Sequence, residues 1–215
     1  MNQLRAAPER HHALEQYRRR AHVYDRELAP FEPIRRRAIE SLRLCPGATV
    51  LDVGCGTGLS FAPLHAAVGA QGRIVGIEQC PEMLDMARQK VKHNGWTHVT
   101  LVNTPAELTA LECEGDAALF HFTHDILRNP EAIQNTLRSL KPGAVVSAAG
   151  LQWANPLFWT TNWWVMMAAM YSVTSLEGLA QPWSHLAKYV DQWQVDEAMM
   201  GSVYIASGVV GQGRG

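Results

Sequence analysis
The sequence predicts an α/β fold: a doubly wound, mostly parallel seven-stranded sheet, closed by an antiparallel C-terminal strand pair and covered by a helical cap. Three observations carry this reading. Short β-branched runs alternate with helical segments from Pro46 to Gly150, which argues a parallel sheet covered on both faces. The stretch TVLDVGCGTGLS, Thr49–Ser60, joins a buried strand to a helix through glycines at every second position. After Gly150 the strand–helix alternation stops, and five of the seven tryptophans fall within the next 40 residues.

The elements follow in order. Residues Pro8 to Arg43 read as helical, interrupted near Pro30 and Pro33. ATVLDVG is the first strand, and LSFAPLHAAVG is a short helix stopped by Gly69. GRIVGIEQ is the second strand. PEMLDMARQKVKHNG is a helix with Pro81 at its start and Gly95 beyond its end. THVTLVN and DAALFHF are strands three and four, PEAIQNTLRSL is a helix, and GAVVSAAG is strand five. WQVDEAMM and SVYIASGVV pair around Gly201, and the tail GQGRG is expected to be disordered. A single domain results: an N-terminal helical lid over 1–43, a core over 44–150, a Trp-rich helical cap over 151–190 and closing strands over 191–210.

Composition narrows the function. With 215 residues, 47% hydrophobic and a net charge of −1, the chain has no global bias toward nucleic acid. MNQLRAAPER has no apolar segment of the kind a secretory leader needs, and Cys45, Cys55, Cys80 and Cys113 read as reduced thiols, so a cytoplasmic location is expected. Neither the cysteines nor the histidines cluster as metal ligands, and no metal is expected. The arginine runs YRRR and RRR read as solvated helix faces or as a basic face toward an anionic substrate or membrane surface.

The glycine loop is the most informative motif. A dinucleotide loop reads G-x-G-x-x-G, but here the third glycine is Gly58 and Leu59 takes its place. A phosphate-binding P-loop ends in Gly-Lys-Ser/Thr, and GTGLS has no lysine. Glu78 ends the second strand about twenty residues on, where a carboxylate can bond ribose hydroxyls. The run Asp52 to Gly58, Glu78 with PEMLDMAR, NTPAEL after strand three and LKPG before strand five together resemble the class I S-adenosylmethionine-dependent methyltransferases, a Rossmann-like family. The resemblance covers about Tyr17 to Gly150 and implies S-adenosyl-L-methionine as cofactor. It implies that Gly54, Gly56 and Gly58 make room for the methionine part and ribose, that Asp52 holds the loop, and that Glu78 accepts from the ribose hydroxyls. Gln79 and Met83 would flank the adenine. Thr104 stands where the family often has Asp; Pro105 has no N–H to offer, leaving that of Ala106. Cys55, read as a small filler, and His121, at the end of strand four, complete the implied cofactor set.

Methyl transfer needs alignment and exclusion of water, and a base only where the acceptor must lose a proton. His124 and Asp125, after strand four, fall where related enzymes carry polar residues facing the methyl group; the alternative is a helix cap. Tyr17 and VYD at Val23–Asp25 resemble the N-terminal helix of the ubiquinone and menaquinone C-methyltransferase type and of bacterial phospholipid N-methyltransferases. That resemblance places Tyr24 at the sulfonium and Tyr17 at the substrate. Trp159, Trp163, Met166, Met167 and Met170 recur at helical spacing, which fits a helix packed on the core, the wall of an apolar pocket or a membrane-facing patch. Trp153 and Trp159 are the expected substrate contacts. The expected activity is methyl transfer to a small, largely apolar or aromatic molecule. The alternatives are a phospholipid headgroup N-methyltransferase at the membrane surface and a cofactor-binding subunit without turnover. Oligomeric state is left open.

Overall fold
Strand residues alternate between two apolar layers, and that alternation builds the sheet. Val50 packs into one layer with Ile34, Ala38, Phe61, Leu64 and Leu84, while Leu51 and Val53 pack into the other with Phe120, Leu127 and Ile133. The structure, a computed structural model, describes residues 25–111, 113–172 and 176–211. Tyr17, Tyr24 and the tail beyond Gly211 lie outside the described residues.

The strands are β1 (Thr49–Val53), β2 (Arg73–Ile77), β3 (Val99–Val102), β4 (Gly115–His121), β5 (Leu140–Leu151), β6 (Val190–Ala198) and β7 (Val203–Val210). They form one sheet in the order β3-β2-β1-β4-β5-β7-β6. The first five run parallel, and β7 is antiparallel to both neighbours. Among the described residues the α-helices are α1 (Glu32–Ser41), α2 (Phe61–Val68), α3 (Pro81–Asn94), α4 (His124–Leu127), α5 (Pro130–Arg138) and α6 (Trp159–Ser172). The chain winds outward from β1 to β3 and then returns to β4 on the other side of β1. The gap between the ends of β1 and β4 is the switch point where open α/β sheets hold ligands.

Two boundaries differ from the sequence reading. Pro33 does not interrupt a helix; it sits in the first turn of α1, where a missing N–H costs nothing. The fifth strand begins at Leu140, three residues early, because β4 pairs with it on both sides of an irregularity between Gly115 and Ala117.

Candidate cofactor and acceptor site
The site grows from the end of β1. Gly54, Gly56 and Gly58 have φ of +73°, +55° and +77°, a left-handed backbone that other residues adopt at a cost. A Cβ on Gly54 would meet Thr123 Cγ2 at 2.6 Å and Ile126 Cδ1 at 2.9 Å, and one on Gly58 would meet the Phe61 ring at 2.6 Å. Gly54 and Gly58 therefore serve backbone shape and packing against the chain itself. Gly54 and Gly56 also border the cavity, and Gly58 does not.

Glu78 holds the loop in place. One carboxylate oxygen accepts from the Gly56 N–H at 3.0 Å and the other from the Cys80 N–H at 2.7 Å. Burial raises its pKa, and the backbone N–H donors oppose that shift. Asn103, unremarked in the sequence, donates its side-chain amide to the Glu78 carbonyl at 2.8 Å, and Asn135 donates to the carbonyls of Ala106 and Thr109. These amides fix the segments that carry Glu78, Thr104 and Ala106.

The cavity between these segments is lined by Gly54, Gly56, Glu78, Gln79, Met83, Thr104, Ala106 and Asp125 from the expected set, and also by Ile77, Glu107, Phe122, Thr123 and Ile126. Pro105 and Cys55 do not line it. Cys55 is buried, and burial pushes its thiol well above the ordinary range, which suits a filler and not a nucleophile. Phe122 gave no sequence signal. It holds φ +58°, an uncommon conformation for an aromatic residue, and its N–H donates to the Ala149 carbonyl at 2.7 Å. Its ring packs edge-on against Phe31 and His121, with centroids 4.8 Å apart in each case.

Behind the loop lies a buried polar group. Asp52 shares the face of β1 that α1 covers, and Arg35 of α1 is 2% exposed, donating to Glu32. The sequence reading took RRR as a solvated face, and Arg36 and Arg37 obey it while Arg35 does not. Burial pushes Asp52 up to about 7; Arg35 opposes the shift and Glu78 adds to it. Burial, helped by Arg35, drives His121 well below its ordinary value. Asp52 and His121 do not line the cavity. Asp25, next to Tyr24, bonds the Thr57 hydroxyl and pairs with Lys90 at 2.7 Å, so the chain entering α1 is tied to the glycine loop.

The remaining expected residues sit elsewhere. His124 is buried, its Nε2 lies 3.1 Å from the Glu177 carbonyl, and it does not line the cavity. Burial lowers its pKa to about 4, with the carbonyl opposing and Arg128 assisting. Of the expected pair His124 and Asp125, only Asp125 lines the cavity. Trp153 is half-buried with its N–H on the Leu179 carbonyl, and Trp159 is 73% exposed; neither lines the cavity. Among the described residues no group of three His, Cys, Asp or Glu could hold a metal.

Residues 50–143 match the family described as "Methyltransferase domain". The match covers less than half of the chain, and it makes this segment similar to a methyltransferase domain of the S-adenosylmethionine-dependent class. That family's cofactor is S-adenosyl-L-methionine, and the cavity's chemistry fits it. Glu78 retains lone pairs for a diol, the buried Thr123 hydroxyl at the cavity finds no partner, and every charged lining residue is acidic, opposite in sign to a sulfonium.

The chain is 35% identical over 77 residues to aklanonic acid methyltransferase DauC of Streptomyces sp. strain C5, covering 36% of this chain and 35% of that protein. It is 29% identical over 157 residues to 2-phytyl-1,4-naphtoquinone methyltransferase of Thermosynechococcus vestitus, covering 69% of this chain and 67% of that one. The first of these relatives is thus matched over about a third of its length. The fold is shared with N-methyltransferase NodS from Bradyrhizobium japonicum WM9 in complex with S-adenosyl-l-homocysteine, at a TM-score of 0.67 and 15% identity over 93% of this chain and 99% of that one.

Proposed function
We propose that the protein transfers a methyl group from S-adenosyl-L-methionine to a small, largely apolar or aromatic acceptor. The observation that carries this is the character of the cavity. Its charged lining is Glu78, Glu107 and Asp125, and its apolar lining includes Phe122 and Ile126. No Lys or Arg is among the described residues that line it. The charged residues of this lining would all repel an acceptor's phosphate, which disfavours a phospholipid headgroup. Relatives named for a phytyl-naphthoquinone and for aklanonic acid support the aromatic class.

When bound, the cofactor supplies an electrophilic methyl group, which forms a bond with an electron pair of the acceptor while the sulfur keeps the electrons of the broken bond. The chain's own residues do the rest. Glu78 and the Gly56 backbone would hold the ribose side, and Gln79, Met83, Thr104 and Ala106 would hold the adenine. Phe122 and Ile126 would exclude water and orient an apolar acceptor against the methyl group. Asp125 would take the proton from a hydroxyl or activated carbon as it is alkylated. Tyr24, Tyr17, Trp153 and Trp159 remain expected contacts that the cavity as described does not include.

The test is label transfer from methyl-labelled cofactor to a panel of naphthoquinols, phenols and phosphatidylethanolamine. Label in the aromatic acceptors is expected. Label in phosphatidylethanolamine alone would overturn the acceptor class.

A further inference from the structure
Thr123 is a polar residue whose ordinary use is withheld. It stands at the N-cap of α4, where a threonine hydroxyl commonly accepts from an N–H of the first turn, yet its side chain makes no capping bond. Its carbonyl alone joins the helix, accepting from the Leu127 N–H at 3.0 Å. The residue is 8% exposed, and among the described residues its Oγ has no hydrogen-bond partner. A buried hydroxyl without a partner is costly and calls for an explanation. Here it lines the cavity, where a ligand can supply the partner.

The backbone turns this residue to the cavity. Successive side chains of a strand face opposite ways. Strand β4 ends at His121, and Phe122, at φ +58°, breaks the alternation, so that Phe122 and Thr123 both line the cavity. The hydroxyl also has a direction. A Cβ on Gly54 would meet the Thr123 methyl carbon at 2.6 Å and the Thr123 Cβ at 3.6 Å, with the hydroxyl no nearer. The methyl group thus faces the glycine loop, and the hydroxyl is turned away from it. The ionised carboxylates of the lining, Glu78, Glu107 and Asp125, can only accept hydrogen bonds, whereas a hydroxyl can donate one. A hydroxyl on the methyl acceptor needs both a group to take its proton and a donor to its lone pair. Asp125 is the first in the mechanism above, and Thr123, two residues earlier, supplies the second.

We propose that the Thr123 hydroxyl donates a hydrogen bond to an oxygen of the methyl acceptor, and that this bond selects hydroxyl-bearing aromatic molecules over hydrocarbon rings of the same size. This role rests on the aromatic-acceptor reading above. Phe122 and Ile126 offer apolar contact to both kinds of ring alike. The hydroxyl tells them apart, because a ring without an oxygen leaves it buried and unpaired.

The experiment is equilibrium dialysis of the full chain, saturated with S-adenosylhomocysteine, against 1-naphthol and 1-methylnaphthalene, two rings of similar shape that differ in the hydroxyl. The wild type should bind 1-naphthol tighter by about tenfold or more. Thr123→Val keeps the shape and removes the hydroxyl. It should bring that preference within about twofold, with the melting temperature and the affinity for S-adenosylhomocysteine unchanged, because no bond inside the protein is lost. Thr123→Ser keeps the hydroxyl and should keep the preference. If the Thr123→Val protein does not fold, Thr123→Ala carries the same comparison. Equal binding of the two rings by the wild type, or a Thr123→Val protein that keeps the wild-type preference, would overturn the role of Thr123 and leave the aromatic class standing. A Thr123→Val protein that loses affinity for S-adenosylhomocysteine in place of 1-naphthol would give the hydroxyl to the cofactor and overturn it as well. A wild type that binds neither ring would overturn the aromatic class, and the role of Thr123 with it.

Discussion

The glycine loop and helix α6 are both unusual in sequence, yet they differ in what decides their structure. The loop is held by backbone chemistry: positive φ at three glycines, and Glu78 bonding the N–H of Gly56, 22 residues away in sequence, and that of Cys80. Helix α6 has the right periodicity, but which stripe turns inward depends on what it packs against. The inward stripe is Thr161, Val165 and Ala169, and the large residues Trp159, Trp163 and Met170 turn outward. The difference teaches that a motif can be read from the chain where the backbone itself is constrained. The orientation of an amphipathic helix cannot be, when both of its faces are uncharged.

The largest effect is expected at the loop. Gly54→Ala places a methyl group against Thr123 and Ile126 on a backbone of φ +73°, at a cost of roughly 2–4 kcal/mol from strain and overpacking. Melting should fall by about 5–15 °C for a chain of this size. An unchanged melting temperature would break the view of the loop as rigid. Next comes the chemistry facing it. Asp125→Asn should lower kcat by about 100-fold on an acceptor that must lose a proton, with cofactor affinity nearly unchanged. His124→Gln should not, because His124 is turned to the Glu177 carbonyl.

Titration separates two buried groups near the same end of the sheet. The fold raises Asp52 from an ordinary 3.8 to about 7, so its contribution is full below pH ~4 and is lost as pH rises through 7. The fold lowers His124 from 6.5 to about 4, so its contribution is full above pH ~6.5 and is lost as pH falls through 4. Melting curves should show Asp52→Asn gaining on the wild type as pH rises from 4 to 8. His124→Gln should gain as pH falls from 7 to 4. Differences that stay flat with pH would place these groups in water, and slopes of the opposite sign would give their shifts the other direction.

The smallest effects sharpen the reading of α6. Val165→Ala should cost about 1–2 kcal/mol at a fully buried position, whereas Trp163→Ser should stay within about 0.5 kcal/mol. The reverse order, measured by thermal melting, would turn the helix over.

Much of this was legible in the chain. The five parallel strands followed from apolar runs between turn signals, and the closing pair from the glycine turn at Gly201. Glu78 was legible by its distance from the loop, and Gln79, Met83 and Thr104 by their resemblance to a family pattern. Three things were not. Arg35 lies in a run of three arginines, and only packing of α1 on the sheet decides which of them is buried. Phe122 adopts a left-handed backbone that no residue type signals, since aromatic residues usually avoid it. Asn103 and Asn135 act through main-chain carbonyls that only the folded loops bring within reach.

The central claim is that the loop and Glu78 together hold S-adenosyl-L-methionine. Titration calorimetry with S-adenosylhomocysteine tests it most directly, comparing wild type with Glu78→Ala and using NAD as the competing ligand. Removing the carboxylate removes charge-assisted bonds worth roughly 1.5–3 kcal/mol, so affinity for S-adenosylhomocysteine should fall by at least about tenfold. NAD should not bind either protein. Wild-type protein that binds NAD and not S-adenosylhomocysteine, or a Glu78→Ala variant with undiminished affinity, would contradict the account.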